Sequence, residues 1–144
     1  MAELYLIARL AGRRIAFPAS AVEAVVELES ITPAPRAAPH VAGLAALRSR
    51  VLTVIDSLAA LDFGRWETTS AVDAIVVPFD GHPYALMVEE VEDVVELDAA
   101  PSPIAAPVGD GWDRAAIGTI VVGAELLMLL DPGQLIAGPA AQAA

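Results

Sequence analysis

The chain repeats itself. Gly12 to Glu29 reads GRRIAFPASAVEAVVELE, and Gly81 to Asp98 reads GHPYALMVEEVEDVVELD. Aligned without a gap at an offset of 69, the two share eight identities in eighteen positions: Gly12/Gly81, Ala16/Ala85, Val22/Val91, Glu23/Glu92, Val25/Val94, Val26/Val95, Glu27/Glu96 and Leu28/Leu97. A second pair follows in the same order, Val51–Asp56 (VLTVID) matching Leu126–Asp131 (LLMLLD) at an offset of 75. Two copies of one unit predict a pseudo-two-fold molecule with a seam between the copies. Each copy has about 70 residues, near the lower limit for an independent core, so the two should share apolar surface. The expected organisation is one domain over 1–144, with approximate halves 1–68 and 69–137 and a frayed tail over 138–144.

Composition removes several function classes. Hydrophobic residues make up 56 % of the chain and mean hydropathy is +0.60, yet no stretch reads as a membrane span. The longest candidate, Ala115 to Leu130, is interrupted by Glu125, whereas a span needs about 20 apolar residues. The N-terminus carries Glu3 and no basic segment, unlike a signal peptide. There is no cysteine, which rules out disulfide and thiolate chemistry and fits a cytoplasmic location. Charge is split unevenly. Residues 1–70 hold seven Arg and seven acids, while residues 71–144 hold Arg114 and twelve acids. The acidic half argues against nucleic acid and anionic membranes as partners. The split suits either a two-faced adaptor or plain solubility charge.

Many short strands punctuated by Gly and Pro predict an all-β sandwich or small barrels. Leu4–Leu10 and Ala71–Phe79 should open the two copies as strands. Ala11-Gly12-Arg13-Arg14 and Asp80-Gly81-His82-Pro83 read as hairpin turns, followed by strands Ile15–Pro18 and Tyr84–Val88. Val22–Leu28 and Val91–Leu97 have a half-buried strand pattern, with a short helical turn at Ser20-Ala21 or Glu89-Glu90 before them. Prolines 33, 35 and 39, like 101, 103 and 107, mark extended connectors. Val51–Ile55 and Leu126–Leu130 are buried strands. Asp56 and Asp131 stand at the starts of short helices, Ser57–Leu61 and Gly133–Ile136. Phe63–Ser70 links the copies.

No catalytic constellation is present. The duplicated Asp56 and Asp131 suggest a paired-carboxylate site, but Ser57-Leu58 and Pro132 follow where a Gly-containing loop would have to expose the acid, and helix capping explains both. His40 and His82 sit beside prolines with no second ligand at metal spacing. The serines lack a G-x-S-x-G setting, and without lysine there is no Schiff base or P-loop. The chain is expected to be neither an enzyme nor a cofactor-binding or metal-binding protein.

The segment Thr32-Pro33-Ala34-Pro35 to Pro39-His40-Val41-Ala42-Gly43-Leu44-Ala45-Ala46-Leu47-Arg48-Ser49-Arg50-Val51-Leu52-Thr53-Val54-Ile55-Asp56 resembles the CheW-like domain family. The family pattern is a proline-bearing connector, a Gly, Leu-Arg-Gly, then an apolar strand ending in Ile/Val-Asp. Val22-Glu23-Ala24-Val25 resembles its Val-x-Glu-Val, and Met87 to Val94 its second-half Val-Asp-x-Val-x-x-Val. The resemblance covers about residues 3–137. It implies two small five-stranded SH3-like β-barrels sharing a hydrophobic core, and no catalysis. It further implies a stand-alone cytoplasmic adaptor of chemotaxis signal transduction, with two partners: the regulatory domain of the histidine kinase CheA and the cytoplasmic tip of methyl-accepting chemoreceptors.

By the same resemblance the receptor site comprises Val22, Ala24, Val25, Gly43, Leu44, Leu47 and Arg48, in a groove between the barrels. Gly43 reads as a backbone requirement, a special φ or a close approach. Two positions depart from the pattern. Ala24 replaces a Glu that pairs with the Arg, and Ser49 replaces a Gly, at a cost on the order of 1 kcal/mol if that position needs φ > 0. Trp112 is either an exposed contact anchor or a cap on the second barrel. The alternative to a chemotaxis coupler is a module of the same fold that regulates a kinase outside the standard array.

Overall fold

The computed structural model describes residues 2–67 and 71–139. The expected tail therefore lies outside the described residues from residue 140 onward, as do residues 68–70 of the linker. Ten strands and three short helices alternate in two passes. The first pass runs β1 (Glu3–Leu10), β2 (Arg13–Pro18), a 3-10 turn (Ala19–Ala21), β3 (Ala24–Leu28), β4 (Val41–Leu47), β5 (Arg50–Ile55) and α1 (Ser57–Ala60). The second runs β6 (Val72–Phe79), β7 (His82–Val88), β8 (Glu90–Leu97), α2 (Asp110–Ala115), β9 (Ala116–Val122), β10 (Glu125–Leu130) and α3 (Pro132–Ala137). The copies correspond element by element, save for the 3-10 turn in the first and α2 in the second.

The copies do not fold separately. One curled five-stranded sheet has the order β8-β1-β2-β10-β9 and the other β3-β6-β7-β5-β4. Each thus takes a hairpin from one copy and three strands from the other. Exchanging each strand for its counterpart converts one order into the other, and the registers agree too. Asp93 lies opposite Ile7, as Ala24 lies opposite Val76. Met128 pairs with Ile15 in parallel, as Thr53 pairs with Tyr84. The bulge between Val41 and Gly43 recurs beside Leu129/Leu130. We call the sheet containing β1 and β2 barrel A and the one containing β6 and β7 barrel B.

Alternation along the strands builds three cores. On β1, Tyr5 and Ile7 face the interior of barrel A, with Ala16, Ile120, Leu127 and Leu129. Leu6, Ala8 and Leu10 face the other way, into a central cluster with Ile15, Phe17, Ile75, Val77, Leu86 and Val88. On β6, Val72, Ala74 and Val76 fill barrel B with Leu28, Leu52, Val54 and Met87. The hairpins β1–β2 and β6–β7 are therefore buried on both sides, which is why they read as near-continuous apolar runs. The expected shared hydrophobic core is this central cluster.

Three elements carried no assignment from the sequence. β4 and β9 form strands although VAGLAAL and AIGTIVV are rich in small residues. α2 forms as well, and Gly111 permits it: a Cβ there would collide with the carbonyl of Leu61. Trp112 on α2 is buried, 6 % exposed, in the central cluster, with Phe63 5.3 Å away and the Arg13 guanidinium over its ring. That burial removes the contact-anchor reading. The charge split does not give two faces either, because the copies interleave. Arg14 of the neutral half bonds Glu92 and Glu125 of the acidic half. Those two carboxylates raise its pKa further, so it remains a cation.

Candidate functional site

All seven sequence-derived site residues lie on or beside the three strands that the first copy gives to barrel B. β3 and β4 are its two edges. The sheet curls until these edges approach one another. Thr32, in the proline connector after β3, makes an antiparallel bridge with Leu44 of β4. Glu23, just before β3, pairs with Arg50 at the start of β5. A cleft of about 320 Å³ between Glu27–Ser30 and Ala46–Leu47 marks where the edges stay apart.

Within this arrangement the residues divide into two groups. Val25, Leu44 and Arg48 are exposed, the first two at 46 % and 40 %. Ala24 and Leu47 are half-buried against the core of barrel B, and Val22 against the central cluster. Gly43 is buried with φ +151, and a Cβ there would overlap the carbonyl of Thr32. Both suggested causes, a special φ and a close approach, therefore apply. Gly118, its counterpart, stands in the same relation to Ser102, where a Cβ would lie 2.9 Å from the carbonyl oxygen. The sequence repeat carries this equivalence, yet Gly118 is not among the sequence-derived site residues.

Arg48 sits at the tip of the two-residue turn between β4 and β5, with φ +58. Its counterpart is Gly123, φ +62. The position with positive φ is thus Arg48 and not Ser49, so the expected strain at Ser49 is absent and the neighbouring residue carries it instead. Among the described residues Arg48 forms no ion pair, while the adjacent Arg50 takes Glu23. The side chain that Ala24 would have supplied is replaced by no other acid.

The two aspartates serve as caps. The N–H groups of Leu58 and Ala59 donate to Asp56 Oδ1 at 3.0 and 3.1 Å, and that of Gly133 donates to Asp131 Oδ1 at 3.0 Å. Asp56 has a further role that no sequence signal announced: its Oδ2 accepts the backbone N–H of Trp66 at 2.8 Å. This ties the inter-copy linker down, and the Trp66 ring packs against both the central cluster and the core of barrel B. His40 is buried rather than in an open loop. Its Nε2 is 2.7 Å from the carbonyl oxygen of Ile136 and donates to it, while Nδ1 has no partner among the described residues. No group of metal-ligating side chains occurs among the described residues, and no described helix is long and apolar enough to cross a membrane.

Barrel A presents a different surface. Val121 of β9 lies directly opposite Leu126 of β10, and they are 58 % and 66 % exposed. Ile117, two turns of the pleat earlier on the same edge strand, is exposed as well. The counterparts on barrel B are Ala46, Val51 and Ala42, so the edge of barrel A is the more apolar one.

The family model for the CheW-like domain matches residues 4–140. Among solved structures, the scaffolding protein TtCheW from Thermoanaerobacter tengcongensis superposes with a TM-score of 0.78, covering 91 % of this chain and 90 % of that one at 21 % identity. No curated protein sequence matches the chain.

Proposed function

This chain belongs to the CheW-like domain family, a family of non-catalytic scaffolds, and on that premise we propose that it couples chemoreceptors to the histidine kinase CheA in the cytoplasm. The receptor's helical tip docks on barrel B, at Val22, Ala24, Val25, Gly43, Leu44, Leu47 and Arg48. The observation that carries this reading is Arg48: a cation with no ion pair among the described residues, held at the turn tip that ends β4, the edge strand that also carries exposed Leu44. An amphipathic helix bearing a carboxylate complements such a surface. The kinase regulatory domain docks on the apolar edge of barrel A at Ile117, Val121 and Leu126, through apolar contact and strand pairing.

Binding to receptor-tip and kinase regulatory fragments, measured in parallel, tests both assignments. Arg48→Glu should weaken receptor binding about tenfold or more, the worth of one charge-assisted hydrogen bond, and leave kinase binding intact. Leu126→Glu should do the reverse. Equal loss of both partners from either variant, or a collapse in melting temperature, would sink the separation.

A further inference from the structure

The two copies treat the same place differently. In the first, Asp56 uses Oδ1 for its cap and Oδ2 for the linker's Trp66, so an Arg65-Trp66 pair is seated beside α1. In the second, Asp131 spends Oδ1 on Gly133, and no described residue donates to its Oδ2 or forms an ion pair with it. A groove of about 310 Å³ lies open beside it, walled by Ala21, Val77, Phe79, Pro132 and Ile136. Phe79 is 44 % exposed there, whereas its counterpart Leu10 is fully buried.

We propose that this groove beside α3 binds a short extended segment of a partner protein in which a basic residue precedes an aromatic anchor. The aromatic side chain enters the apolar walls, and the adjoining backbone N–H and positive charge meet Asp131. The chain's own Trp66, whose backbone N–H donates to Asp56 Oδ2, is the internal precedent for the aromatic anchor and its N–H. Charge complementarity supports a basic partner, since Asp131 is the charged wall of the groove. A second copy of the chain would offer only its own Arg65-Trp66, already folded onto Asp56. The inference stands apart from the coupling role and survives its failure.

The test is a titration of the acetylated, amidated peptide Phe-Gly-Arg-Trp-Glu, the linker's own sequence, into the isotope-labelled full chain, followed by amide NMR. Saturable shifts at Phe79, Gly133 and Gln134 are expected, with a dissociation constant on the order of 1 mM. Asp131→Asn keeps a capping oxygen but loses the charge and the second acceptor, and should weaken binding roughly tenfold. Phe79→Ala removes the exposed aromatic wall of the groove and should weaken binding similarly. Replacing Trp by Ala in the peptide should abolish the shifts. Absence of saturation, shifts confined to other regions, or wild-type affinity in Asp131→Asn or Phe79→Ala would overturn the proposal. Binding that appears only after removal of residues 140–144 would assign the groove to the chain's own tail. Concentration-dependent dimerisation lost in Phe79→Ala would assign it to a second copy.

Discussion

At the scale of single residues, Arg48 and Gly43 carry opposite kinds of constraint. Arg48 occupies a left-handed backbone position that its counterpart fills with Gly123, so the strain there is tolerated for the sake of the side chain or without benefit to the fold. Arg48→Gly should therefore raise stability by about 0.5–1 kcal/mol in denaturant unfolding, while weakening receptor binding as Arg48→Glu does. A loss of stability would mean that the guanidinium is structural. Gly43 is constrained by backbone alone. Gly43→Ala must push the Thr32 connector away from β4, and overpacking of this kind costs about 1–3 kcal/mol. Gly118→Ala, where the clearance is 2.9 Å, should cost less in the same experiment.

At the scale of elements, the caps separate a shared role from a specialised one. Asp131→Ala should lose one cap, about 1 kcal/mol, whereas Asp56→Ala also releases the Trp66 N–H and should cost roughly twice as much by thermal unfolding. Equal losses would mean that the linker contact contributes nothing. The caps were legible because an acceptor followed by Ser or Pro after an apolar run has few other readings. Legible for similar reasons were β1, β6, β5 and β10, whose apolar runs reflect burial, although Val51 and Leu126 in the runs expected to be buried are exposed. β4 and β9 were not: Val41–Leu47 owes its extended form to pairing with β5, and an Ala- and Gly-rich run carries little strand preference of its own. α2 was hidden because Gly109-Asp110-Gly111 looks like a turn, and only the packing of Gly111 against Leu61 and of Trp112 into the central cluster makes it a helix. The family pattern around Arg48 located a surface, but the positive φ fell one residue earlier than the pattern suggested. Turn type depends on both strands of the hairpin, which a motif does not encode.

At the scale of the molecule, the exchange of strands makes the halves inseparable. Residues 1–68 and 69–137 each contribute strands to both sheets, so neither half can complete a sheet alone. Expressed singly, each should lack dispersed amide signals. Mixed, they should form a one-to-one complex with the spectrum of the intact chain. A well-folded monomeric half would contradict the interleaved architecture. The duplication was evident from sequence, but the exchange was not, because a repeat specifies what each strand looks like and leaves open whose strand it pairs with.

The same interleaving gives the chain a direction in time. Barrel B is assembled from β3 to β7, one continuous stretch ending at Val88, while barrel A joins β1 and β2 to strands that begin at Glu90 and end at Leu130. On a ribosome delivering about 5–20 residues per second, barrel B can close several seconds before the last strand of barrel A has been made. During that interval the N-terminal hairpin, synthesised first, has apolar residues on both faces and no sheet to join. It is the segment of the nascent chain most exposed to chaperones and to mispairing. A newly made chain arrested once Val88 has cleared the ribosome should present a protease-resistant barrel B beside an unprotected N-terminus.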